Sequence, residues 1–595
     1  MAESIISPGV LTRENDISFV QPAPIAAGAA FVGPTVKGPD NQPTIVTSYG
    51  DYVRKFGETF TSGSSNYEFL TSVAVKNYFS QGGNTALITR VVSGSYRAAT
   101  NTFISASAKG STEPFTLSTL GKGAMYNNAA GQTSAIVGGA GYINSDGSLV
   151  TGSADNLRWE IQNVNAAQGT FTLLVRQGND STNNPVILET FNNLSLDPNS
   201  PNYIEAVIGN QFKTVGTDGA TSYIYSQGTF PNRSNYIRVS AVNLATPNYL
   251  STNGISVNTD ASNASYSASL PTSGSGSFYN ALGAVKSGAT YFSSLGTSTT
   301  DAQGLVGDNY SVALSLLANT DEYRFNIIST PGLINKGSQA QGSNFNAGQI
   351  ISQVVSLAEN RGDCIAVVDL VPTGSIISDV TTQAATINSS YAATYWPWIQ
   401  VQSATGKNEY VPAGVVIPGV YAFTDAATAP WFAPAGLVRG GIPGVIQTER
   451  KLTKGDRDTL YLGKVNPIAT FPGTGISVFG QKTLQTKASA LDRVNVRRLL
   501  IELKNFIGDQ ARNLVFEQNT IATRNRFLAT VNPYLESVVQ RQGLFAYRVV
   551  MDDTNNTADV VDRNQLVGQI FIQPTKTIEF VVLDFTVEPT GATFA

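Results

Sequence analysis

Apolar residues in the first hundred positions change period. Between Asn66 and Val92, Tyr67, Leu70, Val73, Ala74 and Tyr78 recur at helical spacing, Gly82-Gly83 stops the run, and residues 86–92 follow as a β-prone apolar stretch of strand length. The same plan returns later: Ile350, Ile351, Val354, Val355 and Ala358 predict a helix, and residues 364–371 predict a strand that ends at Pro372. Helix followed by buried strand, twice, predicts an α/β layer. Between the two, the chain is rich in Ser, Thr, Asn and Gly. Short apolar pieces such as residues 171–175 and 236–239 alternate there with turn-forming clusters, which predicts short strands in a separate surface domain. Residues 251–300 approach low complexity, but Leu270, Phe278, Tyr279, Leu282 and Tyr291 interrupt the polar run, which favours loops between strands over a flexible linker.

The last hundred residues are patterned most clearly. Val496, Leu499, Leu500, Leu503, Phe506 and Ile507 make an apolar stripe, with Arg497, Arg498, Glu502 and Lys504 off it, so an amphipathic helix is predicted. A second helix is expected from Ile521 to Gln542, interrupted or bent at Pro533 and closed by Gly543 in the C′ position. Strands follow, the final one carrying Val581, Leu583, Phe585 and Val587 on one face, with its second face turning polar at Asp584. Val10, Leu11, Ile17, Phe19 and Val20 likewise have no partner helix nearby in sequence. Both ends therefore read as extended arms that need a sheet edge to join.

The resulting plan is a multi-domain α/β and α+β protein. An N-terminal arm spans 1–22, an α/β domain is built from 23–95 and 311–480, and a β-rich insertion covers 96–310. A C-terminal helical-plus-sheet domain covers 481–576, and a strand or arm covers 577–595. Charge follows this division: residues 101–300 hold 18 charged residues in 200, whereas residues 490–595 hold 23 in 106. An insertion of that size is expected on the outside.

Composition then removes chemistry. The 595-residue chain has no histidine, which excludes Ser-His-Asp and Cys-His catalysis and His-ligated zinc. One cysteine, Cys364, excludes intrachain disulfides and Cys-cluster metal sites. Charged residues make up 13% and the net charge is −4, so bulk electrostatics attracts neither nucleic acid nor anionic lipid. No 18-residue apolar stretch and no signal-peptide pattern is present, so neither membrane insertion nor secretion is expected.

The remaining motifs have structural readings. Arg361-Gly362-Asp363 matches an adhesion tripeptide but falls where a helix must stop, and Cys364 opens an apolar strand as a small buried hydrophobe. Asp552, Asp553, Asn555, Asn556, Asp559 and Asp562 offer oxygen ligands without EF-hand spacing, so Asx turns account for them. Gly-Lys at 406–407 and 463–464 lacks the rest of a phosphate loop. Basic residues outnumber acidic ones seven to three between Arg493 and Arg526, either a solvated helix face or a surface that steers toward an acidic partner. No catalytic residue, metal ligand or cofactor site is assigned.

An ordered set of strings resembles contractile bacteriophage tail sheath proteins. Residues 7–10 (SPGV), 29–39 (AAFVGPTVKGP) and 56–57 (FG) are similar to the family's opening. Residues 84–91, 189–195, 361–372, 391–398, 411–414, 431–436, 495–499, 516–519 and 574–580 follow in the family's order. The resemblance covers 1–95 and 310–595 well and the Ser/Thr-rich block in part. It implies a structural, non-enzymatic subunit that polymerises as stacked helical rings around a tail tube. Contraction would drive the tube through the host envelope for genome ejection. Partners would be further copies of itself, the tail tube protein, and baseplate and tail terminator proteins. It implies neither direct nucleic-acid binding nor a cofactor, and location in a virion tail assembled in the host bacterial cytoplasm. In the family, terminal arms add strands to neighbouring subunits and the C-terminal domain faces the tube. The arm residues named above would then be the links, and Arg524, Arg526, Glu536 and Arg541 the tube-facing candidates. Alternatives are the sheath of an extracellular contractile injection system or bacteriocin-like particle and, from another class, a β-rich viral adhesin.

Overall fold

The computed structural model of the protein describes residues 25–62, 65–92, 97–101, 113–123, 144–149, 152–219, 221–258, 270–279, 303, 310–335 and 346–579. The arm residues Val10, Leu11, Ile17, Phe19, Val20, Val581, Leu583, Phe585 and Val587 lie outside them.

Six strands build the central sheet: β1 (Ile25–Gly33), β2 (Thr44–Val46), β3 (Ala86–Arg90), β4 (Tyr323–Ile334), β5 (Ile365–Asp369) and β6 (Ala392–Ala393). Their order is β6-β5-β4-β1-β3-β2, and every pairing is parallel except β2 with β3. All residues of β3 and β5 are buried, as expected of a parallel sheet covered on both faces. Alternate residues serve opposite cores. On one face Ala29, Phe31, Ile88, Ile327 and Val367 meet α1 (Leu70–Ser80) and a later helix, α4 (Ile417–Ala427). On the other, Ala30, Val32, Leu87, Ile328 and Ala366 meet α2 (Tyr310–Leu317) and α3 (Ala347–Arg361).

A second sheet of seven antiparallel strands draws all its strands from residues 98–279, with Trp159, Phe115, Phe171, Leu173 and Phe278 in its core. Buried Arg158 and Arg176 share Asp180, at 3.1 and 2.6 Å. This block touches the central layer through Lys37–Asp155 (2.9 Å), Lys122–Asp40 (3.1 Å) and Arg90 Nη1, which donates to the carbonyl of Lys122.

The third unit packs α5 (Val494–Arg512) and α6 (Ile521–Gln540) on an antiparallel pair, β7 (Leu544–Val550) and β8 (Gln569–Pro574). Leu499, Leu503, Phe527, Val531, Leu535, Val538 and Leu544 form its core, joined by Ala429 and Trp431 from the segment after α4. No helix among the described residues is long and apolar enough to cross a membrane.

Several local expectations need correction. The helix expected from Asn66 begins at Leu70, because residues 65–68 pair with 59–62 as a hairpin that takes Tyr67 out of it. Pro533 does not interrupt α6, and the left-handed cap falls on Gln542 (φ +63°) in place of Gly543. Gly543 is needed for closeness: a Cβ there would lie 2.6 Å from Val538 and 3.0 Å from Trp431. Arg497 and Arg498 are buried, since the first turns of α5 are enclosed on all sides. Gln303 and Tyr310 were expected in the outer block, yet both side chains lie in the α/β core.

Gln303 has a definite task there. Its Oε1 accepts from Leu70 N (2.9 Å), satisfying a donor at the start of α1 where Phe69 supplies no side-chain cap, and its Nε2 donates to Pro331 O (2.9 Å) on β4. Gln303→Ala leaves both groups unpaired, and we expect it to destabilise the chain by about 1–3 kcal/mol in denaturant unfolding. An unchanged midpoint would remove the staple from the account.

Candidate subunit interface

No cluster of three or more potential metal ligands is present among the described residues. Cys364 is buried and burial pushes its thiol pKa up. Arg361 spans Asp363 (2.7 Å) and the carbonyl of Tyr323 (2.8 Å) and stacks 4.2 Å over Phe325, while Gly362 caps α3 at φ +69°. The tripeptide is therefore internal architecture. Asp552, Asn555 and Asn556 spend their oxygens on local N–H groups of the turn after β7, and Gly406 and Gly463 sit in a hairpin turn and a helix cap.

What the fold does present is an unfinished sheet. β7 and β8 pair only with each other, so among the described residues neither outer edge has a partner. A register shift between Leu544 and Ala546 makes Phe545 the extra residue of a bulge. The bulge resets the alternation: Leu544 faces the core before it, Tyr547 and Val549 after it, opposite Ile572 and Ile570. Phe545 and Phe571 remain exposed by 78% and 56%. A short ribbon with two open edges and two exposed phenylalanines is a template for strand addition.

Next to it, the chain leaves the described residues under restraint. Glu579 receives a forked pair from Arg493, Nε at 2.7 Å and Nη2 at 2.9 Å, together with Tyr461 OH at 2.7 Å and Gln481 Nε2 at 3.1 Å. Two residues earlier, Asn495 Nδ2 donates to Thr577 Oγ1 (3.1 Å). Burial opposes ionisation of Glu579, but the bonds from Arg493, Tyr461 and Gln481 and the Arg493 charge outweigh it, so the pKa falls below the ordinary carboxylate value.

Arginines also dock this unit on the α/β core. Arg497 lies 3.9 Å over the Tyr391 ring and donates to Ser390 Oγ (2.5 Å). Arg498 lies 4.7 Å over Tyr421 and donates from Nη2 to both oxygens of Asp425 (2.5 and 2.7 Å). Arg541 covers Trp431 at 4.8 Å. The desolvated pairs made by Arg497 and Arg498 contribute up to about 2 kcal/mol each. The basic surplus of 493–526 is thus largely spent inside the molecule.

Of the four tube-facing candidates, Arg524 is corrected. Its side chain is only 7% exposed, bonded to Asn519 Oδ1 (2.9 Å) and Asp553 Oδ1 (2.7 Å), so it braces α6 against the loop after β7. Arg526, Glu536 and Arg541 remain exposed. Reading the sequence missed Phe545, Phe571 and Glu579: a bulge and a long-range ion pair leave no periodic trace.

Linkage gives the Glu579 contact a direction with pH. With a folded pKa below the unfolded one, the contact stabilises above the ordinary carboxylate value, near 4.3, and is lost as pH falls through the lowered one. Carbon-13 NMR of the Glu579 carboxyl should titrate below that ordinary value, and Arg493→Gln should raise it. A midpoint at or above the ordinary value would contradict the contact.

Comparison with known proteins meets this geometry. Residues 304–484 match the phage tail sheath protein central domain, and residues 486–588 the phage tail sheath C-terminal domain. The tail sheath protein of Vibrio phage KVP40 is 39% identical over 217 residues, 36% of this chain and 31% of the relative. That of Enterobacteria phage T4 is 34% identical over 276 residues, 43% of this chain and 42% of the relative. The matches therefore span well under half the length of these curated relatives. The crystal structure of a sheath tail protein from Listeria innocua, 10% identical, superposes with a TM-score of 0.52 over 92% of this chain and 95% of that one, a likeness of fold.

Proposed function

We propose that this chain, whose residues 304–484 and 486–588 match the phage tail sheath central and C-terminal domains, is a structural subunit of a contractile tail sheath. It polymerises helically around a tail tube, and contraction of the polymer drives the tube through a host envelope for genome ejection. The carrying observation is the pairing of two consecutive family-domain matches with a two-stranded ribbon whose edges both lack a partner among the described residues. Subunits joined head to tail through such edges make a non-closing, heterologous contact, and that builds a filament.

Each part of the molecule has a place in this reading. The arms, 1–22 and the part of 577–595 beyond Glu579, supply strands to the β7–β8 edges of neighbours. The block within 96–310 decorates the outside. Arg526, Glu536 and Arg541, on or beside α6, face the tube, and baseplate and terminator proteins bound the polymer. Work is stored during assembly and released by exchange of surface contacts, with no catalytic step and no cofactor.

Purified protein should form hollow cylinders of varying length in electron micrographs and sediment accordingly; a species that stays monomeric at high concentration would overturn the reading. Chain truncated after Glu579, mixed with intact protein, should cap growing polymers and shorten them. Unchanged lengths in the mixture would mean that the last strand completes its own subunit.

A further inference from the structure

Residues 575–579 travel away from the ribbon that precedes them. Thr575 N still donates to Gly543 O at the base of β7 (3.2 Å), Thr577 is held by Asn495 in the first turn of α5, and Glu579 reaches Tyr461 in the helix Lys454–Leu462 of the central part. Ile578, between the last two, points outward and is 81% exposed. The path crosses the junction of two units and is gripped at its far end.

That grip is built for direction. Arg493 offers a planar fork that a carboxylate accepts in one orientation, and Arg493 is itself tied to Asp492 Oδ1 (2.8 Å) and lies 5.8 Å from the Tyr461 ring centroid. Lys482 stacks on the same ring at 4.3 Å. Three separate parts of the chain, Tyr461, Gln481 and Arg493, therefore converge on one carboxylate.

We propose that Glu579 is a positioning residue for assembly. Clamped by Arg493, Tyr461 and Gln481, it fixes the position of the chain at residue 579, so that tension on the segment beyond it passes to the start of α5 and the central α/β part and not to the β7–β8 ribbon. The ribbon stays unloaded and available to a neighbour. The inference rests on the sheath reading and adds the route by which a subunit is pulled.

The test uses the full-length chain. In Glu579→Gln, hydrogen exchange in the peptides covering β4 and β5 should match wild type, because the clamp lies outside that core. Its polymers should dissociate at about half the guanidinium concentration that wild-type polymers need, since a bidentate charged pair becomes a single neutral bond. The exchanged pair Glu579→Arg with Arg493→Glu should recover most of that resistance. Arg493→Lys, which keeps the charge and loses the fork, should fall between, and it decides the matter if Glu579→Gln disturbs core exchange. Wild-type resistance in both single variants overturns the clamp while leaving the sheath reading intact. Absence of polymers from wild type overturns the sheath reading itself.

Discussion

β1 lies between β3 and β4, and the rest of the molecule depends on that pairing. β3 is close in sequence, but β4 is reached only after the chain has left the core near residue 90 and returned by residue 303. Neither apolar face of the sheet is complete without both neighbours, since Phe31 packs with Ile327 on one side and Val32 with Ile328 on the other. The core therefore closes around an excursion of over 200 residues. Closure entropy grows only logarithmically, by about 0.6 kcal/mol per doubling of loop length, so the long excursion costs little more than a short one. Gln303 secures the return by bonding the start of α1 and β4 at once.

On this base the C-terminal unit is oriented by stacked arginines. Tyr391 follows β5 and Tyr421 lies on α4, and the guanidinium groups of Arg497 and Arg498 sit over their rings. The contact has both a preferred plane and a charge to satisfy, so it fixes orientation more tightly than apolar packing alone. Trp431 extends the junction by donating to the carbonyl of Arg541 (3.0 Å). The β7–β8 ribbon is then displayed in one direction with no partner on its edges among the described residues, while Glu579 is held apart from it by Arg493.

How far the sequence carries the fold depends on the kind of signal. Periodicity placed α3, β3 and β5, and Gly362 as the stop of α3, because burial repeats at 3.6 in a helix and runs unbroken in a parallel strand. It failed where one residue acts alone. Tyr67 fits a helical face but pairs in a hairpin, Arg497 and Arg498 look solvated but stack on tyrosines, and Gln542 takes the turn that Gly543 suggested. The interface was legible as a need for sheet edges and hidden in its particulars. The ribbon's bulge at Phe545 and the grip on Glu579 depend on residues brought together from distant positions.

Cryo-electron microscopy of the purified polymer tests the central claim most directly, by asking what lies along the two edges of β7 and β8. The account predicts that each edge is paired with an extended segment from a neighbouring subunit, making the ribbon part of a larger sheet that continues from subunit to subunit. A ribbon whose edges stay bare in the polymer, or are filled by its own chain, would contradict it.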